Sequence, residues 1–230
     1  MAIISVQNLT KTYDESTVPV HAVNGIDLNF LQGEFTALVG PSGCGKTTFL
    51  NILGGLERAT SGEVFIDGTR LNALSGAGLT EFRLRNIGFV FQAYNLIPVL
   101  SAFENIAFIM QLQGFSNAES GKRVNELMEI LGIADQRNKR PGEMSGGQQQ
   151  RVAVARALAT RPKFVLADEP TANLDSKATE TLLDLMKTLN EKEQTTFIFA
   201  THDERVMRKA RRIVYLDDGK VFKDEEKYAQ

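Results

Sequence analysis

The chain has 230 residues, of which 43% are apolar and 23% charged, with a formal net charge of -2. That length supports one α/β domain with a substantial core, or a core plus a subdomain, and the charge balance gives no footprint for nucleic acid, so none is expected as a partner. The single cysteine excludes an intrachain disulfide, no apolar run approaches the ~18–20 residues that span a bilayer, and the N-terminus lacks the basic start of a signal peptide, so a cytoplasmic location is expected.

Residues 3–9 and 22–31 read as strands; in the second, Ile26, Leu28 and Phe30 alternate with Asp27 and Asn29. Residues 13–20 between them are turn-rich. A short apolar run over 34–39 reads as a buried strand, and 47–53 carries Phe49, Ile52 and Leu53 at helical spacing. A strand over 62–68 is bounded by glycines, and another over 87–91 ends at Gln92. These early strands predict a β-rich entry packed on the following sheet.

The middle of the chain changes character. Helices are expected over 102–113 and 118–131, the latter with Val124, Leu127, Met128 and Leu131 on one face. A polar loop over 137–144 leads into a helix opened by Ser145 and running to about 160. Then come a strand over 164–168, a helix over about 176–191, a strand over 195–200, a helix over about 203–209, and strands near 212–217 and 219–223. Such alternation predicts an α/β fold with a largely parallel sheet covered on both faces. The expected organisation is a single domain over 1–230: an α/β core with a β subdomain from 1–92 and 161–230, and a helical subdomain inserted over 93–160.

Gly40-Pro41-Ser42-Gly43-Cys44-Gly45-Lys46-Thr47, followed by Thr48, fits G-x-x-x-x-G-K-[ST], the phosphate-binding P-loop. Its glycines let the backbone curl until successive N–H groups face a phosphate. Lys46 can reach the β- and γ-phosphates, and the Thr47 hydroxyl can ligate Mg²⁺. The alternative is a glycine-rich turn that binds nothing. The required order of strand, loop and helix favours the phosphate reading, because the helix N-terminus adds partial positive charge.

The apolar strand over 164–168 ends in adjacent carboxylates, Asp168 and Glu169. Ligands bind at the carboxyl ends of parallel strands, so both are expected beside the loop. Asp168 can hold Mg²⁺, and Glu169 can orient and deprotonate an attacking water. His202 follows another apolar strand and can contact the γ-phosphate or position the water. Gln92 closes a further strand and can contact Mg²⁺ or water through its amide. In isolation each of these residues reads as an ordinary strand exit or surface side chain.

Ser145-Gly146-Gly147-Gln148 reads as a second anion-binding helix start, apart from the P-loop, with a flexible capped helix start as the alternative. Together these residues resemble the nucleotide-binding subunit of ATP-binding cassette (ABC) transporters, a likeness covering essentially the whole chain. In that resemblance residues 145–148 are the signature sequence, with Met144 where Leu is usual. Tyr13 resembles the aromatic residue that stacks on adenine, Gln92 the Q-loop, Asp168 and Glu169 the Walker B pair, Asp175 the D-loop and His202 the switch histidine. Cys44 is an accepted variant within the loop. The resemblance implies ATP and Mg²⁺ as ligands. It also implies a homodimer paired head to tail, with ATP between the P-loop of one copy and the signature of the other.

Within the family, the segments Ile87 to Gln92, Asn95-Leu96-Ile97-Pro98, Glu104-Asn105 and 167–175 are similar to subunits of the lipoprotein-release, macrolide-export and cell-division group (LolD, MacB and FtsE). An integral-membrane permease is the implied partner, docking near Gln92 to Ala107, with the chain peripheral on the cytoplasmic membrane face. Other readings are a cell-division ATPase of that group, a soluble ABC-type ATPase without a permease, and subdomain core rather than a docking groove for the apolar stretch 96–107.

Overall fold

The computed structural model describes residues 2–14 and 19–227. Elements follow in the order β1 (Ala2–Tyr13), β2 (Val20–Leu31), β3 (Phe35–Val39), α1 (Lys46–Leu53), β4 (Ser61–Ile66), β5 (Thr69–Arg70), α2 (Gly76–Asn86) and β6 (Ile87–Phe91). Next come α3 (Ala102–Leu112), α4 (Asn117–Ile130), α5 (Gly146–Leu158), β7 (Phe164–Asp168) and α6 (Ser176–Glu193), then β8 (Thr196–Ala200), α7 (Glu204–Lys209), β9 (Arg212–Asp217) and β10 (Lys220–Glu226).

Two sheets result. The first is a four-stranded antiparallel sheet in the order β2-β1-β4-β5. The second is a six-stranded sheet in the order β10-β9-β3-β8-β7-β6, parallel throughout except for its edge strand β10. The expected α/β class and largely parallel sheet are therefore found, with the antiparallel β subdomain at the N-terminus and helices α3 and α4 inserted after β6.

Packing explains why the strands are apolar almost without break. The central strands are covered on both faces, so successive side chains enter different cores. Leu38, Leu166 and Ile198 face one core, where α1 contributes Phe49, Ile52 and Leu53 and the antiparallel sheet contributes Ile4, Val6, Ile26 and Phe30. Phe35, Val39, Val165, Phe197 and Phe199 face the other, against α5, α6 and the inserted helices. Phe49 is fully buried between the two sheets, a position where truncation to Ala costs about 3–5 kcal/mol. This sandwich fixes where α1, and so the loop before it, can lie.

Three expectations need correction. β6 is not part of the β-rich entry; it pairs with β7 at the edge of the parallel sheet. α2 has no counterpart in the predicted elements: none of its residues is buried, so it leaves no apolar stripe. β10 runs to Glu226, beyond the expected 223, because it pairs along the whole of β9. Of the turn expected over 13–20, residues 15–18 lie outside the described residues, while Tyr13 and Val20 belong to β1 and β2 and pair with each other.

Candidate functional site

The parallel register builds the site. It sets Phe91 beside Asp168, Asp168 beside Ala200, and Ala200 beside Leu38. Gln92, Glu169, Thr201 and Gly40 therefore emerge along one edge of the sheet, at the carboxyl ends of their strands, where α/β folds bind ligands.

The loop between β3 and α1 is held against backbone from both sides. A Cβ at Gly40 would lie 2.1 Å from the Leu216 carbonyl oxygen. At Gly45, where φ is +99°, a Cβ would lie 1.9 Å from that of Ala22. Only glycine fits at either position. Lys46 opens α1, and its ammonium donates to the carbonyls of Gly40 at 2.7 Å and Pro41 at 2.9 Å. Cys44 is buried, its Sγ 3.7 Å from the Lys46 Nζ.

An open cleft of about 570 Å³ lies over this loop. Its walls are Ala22, Gly40, Pro41, Ser42, Gly43, Gly45, Lys46, Thr47, Thr48, Gln92, Glu169 and His202. The Thr47 hydroxyl donates to Asp168 Oδ1 at 3.1 Å. Burial pushes the Asp168 carboxyl above the usual range, with Glu169 adding to the rise and Thr47 and Lys46 opposing it.

Glu169 occupies the left-handed region at φ 45°, a strained backbone for a non-glycine residue. Its carboxylate meets His202 Nδ1 at 2.7 Å and accepts from the Thr201 hydroxyl at 3.2 Å. Next to His202, Asp203 caps α7 and accepts from Thr171 at 2.8 Å and from Arg205. Burial would raise the Asp203 carboxyl; Arg205 and Thr171 outweigh it and bring its pKa down to about 2.

The remaining predicted residues stand outside the cleft. Ser145 is the exposed N-cap of α5, with a reciprocal capping box to Gln148. Gly146 lies under the Tyr94 hydroxyl, which a Cβ there would approach to 2.7 Å, and Gly147 faces Ala178 of α6. Asp175 caps α6, accepting from the Ala178 N–H at 2.8 Å. Tyr13 donates to Glu57 at 2.7 Å; burial, then that bond, raises its phenol. Thr201 and Asp203 were not predicted as site residues, although they flank His202 in the sequence. Asn173, whose amide donates to the Gln92 carbonyl at 3.0 Å, left no local signal.

A glycine loop between a parallel strand and a helix, faced by the carboxylates Asp168 and Glu169 at the end of β7 in the same sheet, defines a P-loop nucleotide-binding protein. Comparison with known proteins narrows the class. A family model described as ABC transporter matches residues 23–172. An ABC transporter ATP-binding protein of Methanocaldococcus jannaschii is 45% identical over 227 residues, covering 97% of each chain. A lipoprotein-releasing system ATP-binding protein, LolD, of Syntrophotalea carbinolica is 41% identical, over 96% of this chain and 97% of its own. A solved dimeric ATP-binding cassette in a post-hydrolysis state with ADP and phosphate superimposes with a TM-score of 0.90 at 43% identity, covering 99% of this chain and all of that one. The chain belongs to the ABC transporter family, as an ATP-binding and ATP-hydrolysing subunit. No helix among the described residues is long and apolar enough to cross a membrane.

Proposed function

We propose that this chain hydrolyses MgATP as half of a head-to-tail homodimer and thereby drives a membrane permease. The observation that carries the hydrolytic reading is the wall of the cleft, where Glu169, held by Thr201 and His202, faces the glycine loop. In this reading the loop amides and Lys46 bind the phosphates, and Tyr13 stacks on adenine. Glu169 orients a water for in-line attack on the γ-phosphorus and takes its proton at the carboxylate. His202 holds that carboxylate and the γ-phosphate in register. The leaving ADP oxygen departs on the side of Lys46.

Mg²⁺ fits the oxygen donors present. Thr47 and Asp168 already touch, and Gln92 lines the same cleft. Such a small protein donor set suits a cation that keeps waters and substrate phosphates as its other ligands. Bound there by Thr47, Gln92 and Asp168, it supplies charge neutralisation on the phosphate oxygens.

Residues 145–148 and Asp175 form helix starts, exposed at Ser145 and Asp175 and half-buried at 146–148, that their own cleft does not use, which supports a role on the nucleotide of a second copy. The solved relative described as dimeric adds to this. A permease partner is supported by a relative named as a macrolide export ATP-binding/permease protein, MacB, of Mannheimia succiniciproducens; it is 40% identical over 99% of this chain, which spans 35% of that longer protein. We place its docking surface near residues 92–107, where Val99 is 70% exposed, on the cytoplasmic membrane face. Lipoprotein, macrolide or peptide-like molecules are the proposed cargo.

Mixing two inactive variants tests the dimer. Lys46→Ala spoils the P-loop and Ser145→Arg spoils the signature start. In a head-to-tail pair of one variant with the other, one composite site stays intact, so ATPase activity should reappear on mixing. No recovery despite pairing of the chains contradicts the arrangement.

A further inference from the structure

Gln150 is fully buried in the second turn of α5, and a buried amide is retained at a cost unless its hydrogen bonds do something apolar packing cannot. Its Nε2 donates to the Pro170 carbonyl at 2.7 Å and reaches toward the Phe91 carbonyl at 3.5 Å. Its Oε1 is buried without a partner, so the side chain is oriented by the donor end alone. The carbonyls it meets belong to the residue directly after Glu169 and the residue directly before Gln92.

Glu169 needs such support. Its φ of 45° is unfavourable for a glutamate, and Pro170 restricts the residue before it further. Strain of this kind persists only where the surroundings over-determine it. On the N-terminal side, the Glu169 N–H donates to the Ala200 carbonyl at 2.9 Å. On the C-terminal side the Pro170 carbonyl is anchored by Gln150, and the turn is closed by the Ala172 N–H on the Glu169 carbonyl at 3.3 Å. α5 is also the helix that Ser145 opens.

We propose that Gln150 is a positioning residue for the hydrolytic step: by gripping the Pro170 carbonyl it holds Glu169 in its strained, water-facing conformation and ties that conformation to the signature helix. The inference rests on the reading of Glu169 as the base. Gln150 touches neither nucleotide nor water in this reading, so its removal acts on the rate of chemistry and leaves the P-loop as it is.

The test is Gln150→Met, which keeps length and volume and removes the donor, measured for kcat, KM and direct binding of MgATP, with Glu169→Gln as reference. The expected result is a fall in kcat of fivefold or more, with KM and affinity within twofold of the parent. A smaller fall, or kcat and affinity falling together, overturns the proposal. If Gln150→Met does not fold, Gln150→Asn, whose shorter amide cannot reach Pro170, is read by the same thresholds. Should Glu169→Gln itself turn over normally, the reading of Glu169 fails, an outcome distinct from an active Gln150→Met beside an inactive Glu169→Gln.

Discussion

The Nδ1 of His202 lies 2.7 Å from Oε1 of Glu169, and the two differ sharply in setting: the histidine side chain is 76% exposed, the carboxylate 20%. The carboxylate is thus fixed by the fold, while the imidazole is free to meet whatever enters the cleft. Removing the ring leaves Glu169 with the Thr201 hydroxyl alone. His202→Ala should lower kcat by about 10²-fold or more while MgATP affinity changes little. A loss of affinity with unchanged kcat, in a steady-state titration, would assign the ring to binding instead.

Asp168 sets function against stability. Burial raises its carboxyl, so the native state holds the proton more readily than the unfolded chain. Ionised Asp168 therefore costs stability at neutral pH, and the cost shrinks as pH falls through its raised native pKa toward the ordinary value of 3.8. Asp168→Asn removes the charge and keeps the shape. Without nucleotide its Tm should rise by about 1–4 °C, while Mg²⁺-dependent hydrolysis is lost. A lower Tm would show that the Thr47 bond outweighs burial.

Gly45 and Gly43 separate close approach from backbone strain. Both have positive φ, yet a Cβ at Gly43 meets nothing within 4 Å, whereas one at Gly45 lies 1.9 Å from a carbonyl oxygen. Gly43→Ala should cost about 1–2 kcal/mol, visible as a small drop in Tm. Gly45→Ala must displace either the loop or β2, and should lose ATP binding altogether. Equal effects of the two substitutions would be inconsistent with the packing of the loop against Ala22.

Asp203 gives a pH signature. Its folded pKa of about 2 lies below the ordinary 3.8, because Arg205 and Thr171 overcome the effect of burial. A depressed carboxyl stabilises fully above its unfolded pKa and loses that contribution as pH falls through the folded one, here between about pH 4 and 2. Asp203→Asn should therefore be less stable than the parent by roughly 1–2 kcal/mol at neutral pH, after allowance for solvent screening. In paired denaturation curves the difference should narrow below about pH 4 and close only toward about pH 2; a gap independent of pH would place the effect in the α7 cap alone.

Much of this site is legible in the sequence because strand ends announce it. β3, β7 and β8 are apolar except for Thr36, the terminal Asp168 and the opening Thr196, and the polar residues at their exits are the loop, Asp168-Glu169 and Thr201-His202. The assignment of β6 failed because sheet membership is not local: its apolar run fits either sheet, and only pairing with β7 decides. α2 failed because none of its residues is buried and its first turn holds Gly76 and Gly78; only the Ser75 cap marks it. Thr201 meets Glu169 across 32 residues and Gln150 meets Pro170 across 20, distances over which residue spacing carries no signal.

The most direct measurement is the turnover of Glu169→Gln in saturating MgATP, with the oligomeric state followed in the same sample. The expected result is a loss of hydrolysis of at least about 10²-fold, retained ATP binding, and accumulation of an ATP-bound dimer. Hydrolysis at the parental rate would contradict the assignment of Glu169, and with it the hydrolytic cleft described above.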